Sequence, residues 1–169
     1  MGEDVVVHGE DALPFIAKID QIKRMENDTQ VRLLWYYRPE EAMGGRRPFH
    51  GKNELFLSDH FDWCSHRCVD SKCKVHTLRQ YQELPQVTDR DYFSRFVYKA
   101  KQKRFKPDRV PVYCLCEMPY NPDLDMVECD TCAEWYHMNC VGIGEEELRR
   151  MDTFVCPLCR KEDAQSNKR

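Results

Sequence analysis

"CLCEMPYNPDLDMVECDTCAEWYHMNCVGIGEEELRRMDTFVCPLC", residues 114–159, is the stretch of sequence that decides the fold of the C-terminal part of the chain. Seven of the chain's ten cysteines lie in it. The candidate metal ligands form four closely spaced pairs: Cys114 and Cys116, Cys129 and Cys132, His137 and Cys140, Cys156 and Cys159. Zinc prefers four tetrahedral thiolate or imidazole ligands, and ligand pairs a few residues apart can close on one ion. Eight ligands therefore predict two zinc ions.

The length of this segment points to a structural role for the metal. A fragment of roughly fifty residues buries too little apolar surface to fold alone, so metal binding supplies its folding free energy. Every ligand position is filled by a side chain, which is typical of structural rather than hydrolytic zinc. The alternative is a set of unrelated cysteines in a hydrophobic core.

Charge is distributed unevenly along the 169 residues, whose formal net charge is -3. Residues 113–160 contain ten acidic and three basic side chains, a net charge of -7. An acidic segment disfavours nucleic acid as its partner and favours a basic peptide. There is no apolar run of about eighteen residues, and the N-terminus lacks the pattern of a secretory signal, so we expect a soluble intracellular protein with reduced thiols.

The first two thirds of the chain predict a mainly β fold. Turn-forming segments separate several runs rich in β-branched and aromatic residues. These runs are DVVVHG, PFIAKIDQIKR, QVRLLWYY, NELFLSDHFD and CKVHTLRQYQEL. Five or more strands at this spacing predict a small curved β-barrel or sandwich. Residues 87–105 are compatible with either a helix or a strand. The proline-containing stretch KPDRVPVY, residues 106–113, marks a domain boundary.

Three adjacent aromatic residues end one predicted strand. Side chains of successive strand residues point to opposite faces, so Trp35 and Tyr37 share one face and Tyr36 takes the other. Periodicity alone favours an ordinary core position for these rings.

The order of ligands in the C-terminal segment resembles that of the PHD finger, a cross-brace domain that holds two zinc ions. The resemblance implies that one zinc is bound by Cys114, Cys116, His137 and Cys140, and the other by Cys129, Cys132, Cys156 and Cys159. The RING finger, found in zinc-dependent ubiquitin ligases, is the nearest rival. Its histidine is usually the fourth ligand, whereas the histidine here is the fifth.

A subset of PHD fingers binds the histone H3 N-terminus, Ala-Arg-Thr-Lys, with the lysine methylated. The positions that match the aromatic cage of that subset are Tyr113, Tyr120, Met126 and Trp135. Asp130 matches the acidic residue that binds the peptide arginine. Electron-rich side chains attract a quaternary ammonium by cation–π interaction. The alternative for each residue is ordinary packing.

The N-terminal part resembles the BAH domain of a plant-type group of BAH–PHD chromatin regulators. The phrases that carry this resemblance are LLWYYRPEEAMGGRRPFHGKNELFLSDHFD, KCKVHTLRQY, DYFSRFVYKA and FKPDRVPVYCLCEMPYNPD. The BAH domain of that group reads trimethyllysine in the Ala-Arg-Lys-Ser context of H3, the Polycomb mark. The resemblance implies a cage of Phe15, Trp35 and Tyr37, with Phe15 standing where the relatives have tyrosine. It also implies that His60 and Asp62 contact the peptide beside the lysine.

Two further clusters have competing interpretations. Cys64, His66, Cys68 and Cys73 have spacings compatible with a third metal ion, and buried free thiols are the alternative. The basic run KAKQKRFK, residues 99–106, is either a solvated end of a strand or helix, a nuclear-import signal or a contact to DNA phosphates.

Together these features predict a nuclear, non-enzymatic chromatin reader that regulates transcription and gene silencing. We expect a BAH domain over residues 1–108, a PHD finger over 111–161 and a flexible tail over 162–169. The expected partners are the methylated H3 tail and co-repressor or histone-modifying complexes, with two structural Zn²⁺ ions, no membrane and no small-molecule substrate. The alternatives are a zinc-dependent ubiquitin ligase and a BAH scaffold without preference for methyl-lysine.

Overall fold

The computed structural model describes residues 2–9 and 13–166 and divides the chain into two compact units, Met1–Arg109 and Val110–Arg169. Within the described residues, seven strands form one sheet in the first unit: β1 Asp4–Val7, β2 Phe15–Arg24, β3 Thr29–Tyr37, β4 Glu54–Ser65, β5 Val69–His76, β6 Asp91–Lys99 and β7 Arg104–Lys106. Single turns of 3₁₀ helix occur at Pro39–Glu41 and His66–Cys68.

The sheet order is β4-β3-β2-β1-β5-β6-β7, and an additional parallel pairing between β4 and β6 joins its two sides. The strand pairs are antiparallel except β5–β6 and β4–β6. This closure confirms the predicted curved, mainly β fold. Strand β4 pairs with β6 only over Glu54–Ser58, whereas it pairs with β3 along most of its length.

The predicted strand at residues 73–84 is only partly correct. β5 ends at His76, and helix α1 covers Leu78–Gln82. The hydroxyl of Thr77 accepts a hydrogen bond from the Gln80 backbone N–H, and the Gln80 side chain accepts one from the Thr77 backbone N–H. This capping box satisfies two N–H groups at the helix start, which favours a helix despite the strand-like composition. The ambiguous segment that follows forms strand β6.

A buried ion pair fixes the start of β4. The fully buried carboxylate of Glu54 accepts hydrogen bonds from Arg95 Nε at 2.8 Å and Nη2 at 3.1 Å. Glu54 also accepts from the backbone N–H of Gly51 at 2.9 Å, and Arg95 donates to the carbonyl of Phe49 at 2.9 Å. Both charges are therefore paired and hydrogen-bonded, as buried charges must be to avoid a large desolvation cost.

The second unit consists of two small hairpins and short helices. Its elements are β8 Val112–Tyr113, β9 Met118–Pro119, β10 Met126–Glu128, β11 Trp135–His137, α2 Met138–Val141, α3 Glu145–Arg150 and α4 Pro157–Ser166. Cys129, Cys156 and Cys159 are buried in its core with Tyr136 and Phe154. Residues 162–166, assigned from the sequence to a flexible tail, belong to α4, and residues 167–169 lie outside the described residues. No helix in the described part of the chain has the length and hydropathy required to cross a membrane.

Candidate functional site

Two sets of metal-ligating side chains lie in the second unit. Within each set the sulfur and nitrogen ligand atoms are within 4.8 Å of one another, and the sets are Cys114, Cys116, His137 and Cys140, and Cys129, Cys132, Cys156 and Cys159. The two sets alternate along the chain, so each ties together segments that are distant in sequence. The pairing implied by the family resemblance and the spatial grouping are the same.

The chemistry of both sets fits zinc. Burial by itself raises the pKa of the Cys114 thiol, but hydrogen bonds from the backbone N–H groups of Cys116 and His137 and from the side chains of His137 and Cys140 together outweigh it and bring the pKa to about 6. Cys129 follows the same pattern, with burial opposed chiefly by the N–H of Cys156, and its pKa is also about 6. Each set supplies four sulfur or nitrogen ligands, with some of the cysteines held as thiolates, and forms a closed structural zinc site, so the domain holds two Zn²⁺ ions as predicted.

The first unit contains an open cavity of about 320 Å³ lined mainly by aromatic rings. Phe15 is the first residue of β2, and Trp35 and Tyr37 lie near the end of β3. The Phe15 and Trp35 rings meet edge to face, with centroids 6.1 Å apart and an interplanar angle of 70°. The structure thus brings together the three residues predicted from the resemblance, and all three line the cavity.

An irregularity in β4 places polar groups beside these rings. Leu34 pairs with Phe61 and Tyr36 pairs with Leu57, so the single residue Trp35 stands opposite residues 58–60 of β4. Such bulges bend a strand and redirect its side chains. The hydroxyl of Ser58 holds this bulge, because it donates to the Trp35 carbonyl at 2.8 Å and accepts from the His60 backbone N–H at 3.1 Å.

His60 and Asp62 hold the rings through hydrogen bonds. The Trp35 indole Nε1–H donates to Asp62 Oδ2 at 2.7 Å, and the Tyr37 hydroxyl is 3.0 Å from His60 Nδ1. His60 Nε2 lies 3.2 Å from Asp62 Oδ2 and connects the two pairs. Burial raises the pKa of the Tyr37 hydroxyl, and nearby Tyr98, Glu41 and Asp62 add to the rise. Tyr37 is therefore a neutral phenol at physiological pH.

Sequence reasoning did not identify Glu41 as a residue of this cavity. Glu41 ends the 3₁₀ turn that follows β3, and it lines the cavity with Asp62. Its carboxylate accepts a hydrogen bond from the Arg38 backbone N–H at 2.6 Å, which fixes the side chain over the turn. The available signal was the acidic pair in Arg-Pro-Glu-Glu immediately after the aromatic strand. Two carboxylates and three rings make the cavity suitable for an organic cation.

Tyr36 also contributes to the lining of the cavity, but its side chain belongs to a buried cluster that contains neither of its two neighbours, as strand alternation predicts. It is buried with Ile16 and Leu55 and donates from its hydroxyl to Asp4 Oδ1 at 2.9 Å. Burial, followed by the charge of Asp4, raises the pKa of this hydroxyl. The role of Tyr36 is to anchor the strand that carries Trp35 and Tyr37.

The four cage candidates of the second unit lie on its two hairpins. Tyr113 is on β8 and Tyr120 follows β9. On the other hairpin, Met126 pairs with His137 and Glu128 pairs with Trp135, so Met126 and Trp135 are diagonal neighbours within reach of each other. Trp135 is 42% exposed, whereas the other three side chains are half-buried.

Asp130 has a structural contact that the sequence did not predict. Its Oδ2 accepts a hydrogen bond from the Phe154 backbone N–H at 2.6 Å, and its own N–H donates to the Phe154 carbonyl at 2.9 Å. Asp130 is exposed, and its second carboxylate oxygen has no hydrogen bond among the described residues.

The N-terminal cysteines do not converge on one point. Cys64 and Cys68 pack against the core that contains Val5 and Leu33, whereas Cys73 packs against the cluster of Ile16, Tyr36 and Leu55. Burial raises the pKa values of Cys64 and Cys73 to about 12, which makes them protonated thiols. Within the described residues, the groups able to hold a metal are the two in the second unit. The structure therefore favours the free-thiol alternative.

Family comparisons agree with this architecture. The model described as "BAH domain" matches residues 1–109, and the model described as "PHD-finger" matches residues 114–159. The chain therefore belongs to the BAH domain family, and it joins this domain to a PHD finger with two zinc sites, the combination of a chromatin reader.

Two relatives from Arabidopsis thaliana share both domains and confirm the predicted BAH–PHD family. The chain is 50% identical over 165 residues to "Chromatin remodeling protein EBS", covering 96% of this chain and 70% of that protein. It is 48% identical over 147 residues to "Chromatin remodeling protein SHL", covering 86% of this chain and 64% of that protein. The chain thus spans about two thirds of the length of each of these relatives.

More distant similarities concern one domain each. The crystal structure of the yeast Rsc2 BAH domain superimposes with a TM-score of 0.50 and 20% identity, covering 62% of this chain and 47% of that one, which supports the fold alone. The Danio rerio "Lysine-specific demethylase phf2" is 46% identical over 57 residues, 34% of this chain and 5% of that protein. This similarity is confined to the PHD region, so it carries no demethylase activity over to this chain.

Proposed function

We propose that this protein is a nuclear, non-enzymatic reader of methylated lysines on the histone H3 tail. The BAH domain, here residues 1–108, takes trimethyllysine in the Ala-Arg-Lys-Ser context. The PHD finger, residues 111–161, takes the di- or trimethylated lysine of the N-terminal Ala-Arg-Thr-Lys. Its nuclear partners are chromatin and the co-repressor or histone-modifying complexes that act on it.

The cavity bounded by Phe15, Trp35 and Tyr37 is the observation that carries the proposal for the BAH domain. A trimethylated ammonium has no N–H donors, so its transfer from water into the cage leaves no donor without a hydrogen bond. Each well-placed ring contributes about 0.5–2 kcal/mol of cation–π attraction. The phenol of Tyr37 and the indole of Trp35 are held by His60 and Asp62, so the rings are oriented before the ligand arrives.

The acidic character of the PHD segment supports a basic peptide as its ligand. Residues 113–160 have a net charge of -7, and Trp135 and Met126 are diagonal neighbours on one small sheet. The exposed carboxylate of Asp130 retains one oxygen for the guanidinium of the peptide arginine.

Calorimetric titration of the zinc-loaded chain with a panel of H3 peptides tests both sites. We expect trimethylation of the Ala-Arg-Lys-Ser lysine to raise affinity at least tenfold, and Trp35→Ala to abolish that gain. Trp63→Ala is the matched control, since Trp63 is 43% exposed on β4 and does not line the cavity. Equal affinities for methylated and unmethylated peptides would instead support the scaffold interpretation.

The same titration tests the PHD finger with N-terminal peptides that begin Ala-Arg-Thr-Lys. We expect Trp135→Ala to remove the gain from methylation, while Leu124→Ala, which removes another exposed apolar side chain of this unit, leaves it unchanged. If Trp135→Ala binds the methylated peptide as the parent protein does, the cage assignment is wrong.

A further inference from the structure

The end of β6 and the whole of β7 carry their cationic side chains on one face of the hairpin that they form. Residues 99–106 contain five cationic side chains and no carboxylate. The register pairs Lys99 with Arg104 and Tyr98 with Phe105. The rings of Tyr98 and Phe105 pack against each other with centroids 5.0 Å apart. Because side chains alternate along strands, Lys99 and Arg104 project from the opposite, outer face, and Lys106 joins them two residues further along β7.

Most of these cations have no anionic partner. Lys99 approaches Asp59 at 3.6 Å, and Asp59 also accepts a hydrogen bond from the Ala100 backbone N–H at 2.9 Å. In the described part of the chain, no ion pair forms at the exposed side chains of Lys101, Lys103, Arg104 and Lys106. Like charges directly opposite on paired strands, such as Lys99 and Arg104, destabilise a hairpin. An external anion at this face would relieve that repulsion.

We propose that the outer face of the β6–β7 hairpin binds the phosphate backbone of double-stranded DNA. Successive cations on one face of a β-strand are about 7 Å apart. Over the same length of the DNA helix axis, one DNA strand presents about two phosphates. Lysine is a flexible point charge that contacts phosphate without demanding one geometry. The turn at residues 100–103 carries two further lysines at the tip of the same hairpin.

The position of the hairpin within the first unit suits a nucleosomal ligand. Asp59, which contacts Lys99 and Ala100, immediately precedes His60 of the aromatic cavity. The cationic face and the cavity are therefore adjacent parts of one domain. DNA contact here is sequence-independent, because contacts to phosphates position a protein on the duplex without carrying sequence information. It adds to the methyl-lysine site and does not depend on it.

Fluorescence anisotropy with a labelled DNA duplex of 30 base pairs, at several salt concentrations, tests this proposal. The variant combines Lys101→Gln, Arg104→Gln and Lys106→Gln in the zinc-loaded full chain. The control removes the same net charge from exposed residues elsewhere in the first unit, through Lys23→Gln, Arg67→Gln and Arg79→Gln. Lys103 is left in place, since its backbone φ of 52° makes a substitution there harder to interpret.

We expect the hairpin variant to bind the duplex at least tenfold more weakly than the parent at low salt. The slope of log affinity against log salt should fall by roughly one for each phosphate contact removed. The control should stay within about twofold of the parent, and both variants should keep the parent's affinity for methylated peptide. The proposal fails if the parent does not bind the duplex, if the control loses as much as the variant, or if single-stranded RNA of equal length competes tenfold better than DNA.

Discussion

The indole of Trp35 and the carboxylate of Asp62 are joined by a 2.7 Å hydrogen bond between neighbouring strands, 27 residues apart in sequence. The same carboxylate oxygen lies 3.2 Å from His60 Nε2, whose ring holds the Tyr37 hydroxyl through its other nitrogen. Asp62 is therefore the common anchor of the two β3 rings, and it also adds negative charge to the cavity.

Replacing Asp62 with alanine should weaken binding of the trimethylated Ala-Arg-Lys-Ser peptide by about five- to tenfold, because Trp35 loses its anchor and the cation loses a nearby charge. Asp70→Ala is the control, as Asp70 is an exposed carboxylate on β5 outside the cavity. Calorimetry gives both affinities. An unchanged affinity in Asp62→Ala would show that the rings keep their orientation without it.

The position of the Phe15 ring should require glycine at residue 9. A Cβ built at Gly9 would lie 3.0 Å from both Cδ2 and Cε2 of Phe15, closer than ordinary carbon contacts. Gly9→Ala should displace the ring and reduce affinity for the trimethylated peptide several-fold, with little change in melting temperature because Phe15 is 38% exposed. In Gly144→Ala, where the new Cβ meets nothing within 4 Å, peptide affinity should not change.

Glu54→Gln should destabilise the first unit by about 3–5 kcal/mol, because it removes the buried carboxylate that pairs with the largely buried Arg95 guanidinium. Glu83→Gln breaks an exposed pair with Arg79 and should cost at most about 0.5 kcal/mol. Denaturant unfolding monitored by tryptophan fluorescence in a Trp135→Phe background reports on Trp35 and Trp63 alone. Similar losses in the two variants would contradict the structural role of the buried pair.

Metal analysis should find two zinc ions per chain. The triple substitution Cys64→Ser, Cys68→Ser, Cys73→Ser should keep both ions, whereas Cys129→Ser should lower the zinc content. Chelation should unfold the second unit, since closed zinc sites supply its folding free energy, and should leave trimethyllysine binding by the first unit intact. Three zinc ions per chain in the parent protein would support the alternative of a metal site at the N-terminal cysteines.

Asp130→Ala should have two separable effects. Loss of the hydrogen bond from the Phe154 N–H should destabilise the PHD finger by about 1–2 kcal/mol, since a backbone donor loses its partner. Loss of the carboxylate should also weaken binding of the N-terminal H3 peptide at temperatures where the finger remains folded. A peptide with alanine in place of its arginine distinguishes the two, because its affinity should be equal for parent and variant.

Much of the second unit could be predicted from the sequence. The types, order and spacing of eight zinc ligands are local properties of the chain, and the coordination chemistry of zinc allows few arrangements of them. In the first unit, alternation of side chains correctly placed Trp35 and Tyr37 on one face and Tyr36 on the other. The strand predicted at residues 73–84 failed after His76, because a capping box outweighed strand-like composition.

The sequence by itself determined the zinc ligands, the β-rich composition and the rings available for a cage. Only the tertiary structure decided which residues meet at the cavity: Asp62 with Trp35, His60 with Tyr37, and Glu41 beside them. Ligand spacing is fixed by covalent neighbours, whereas contacts between strands depend on register and on bulges such as the one opposite Trp35. For strands joined by a long connection, such as β3 and β4, register depends on packing of the whole sheet and on bulges, so no short stretch of sequence specifies it.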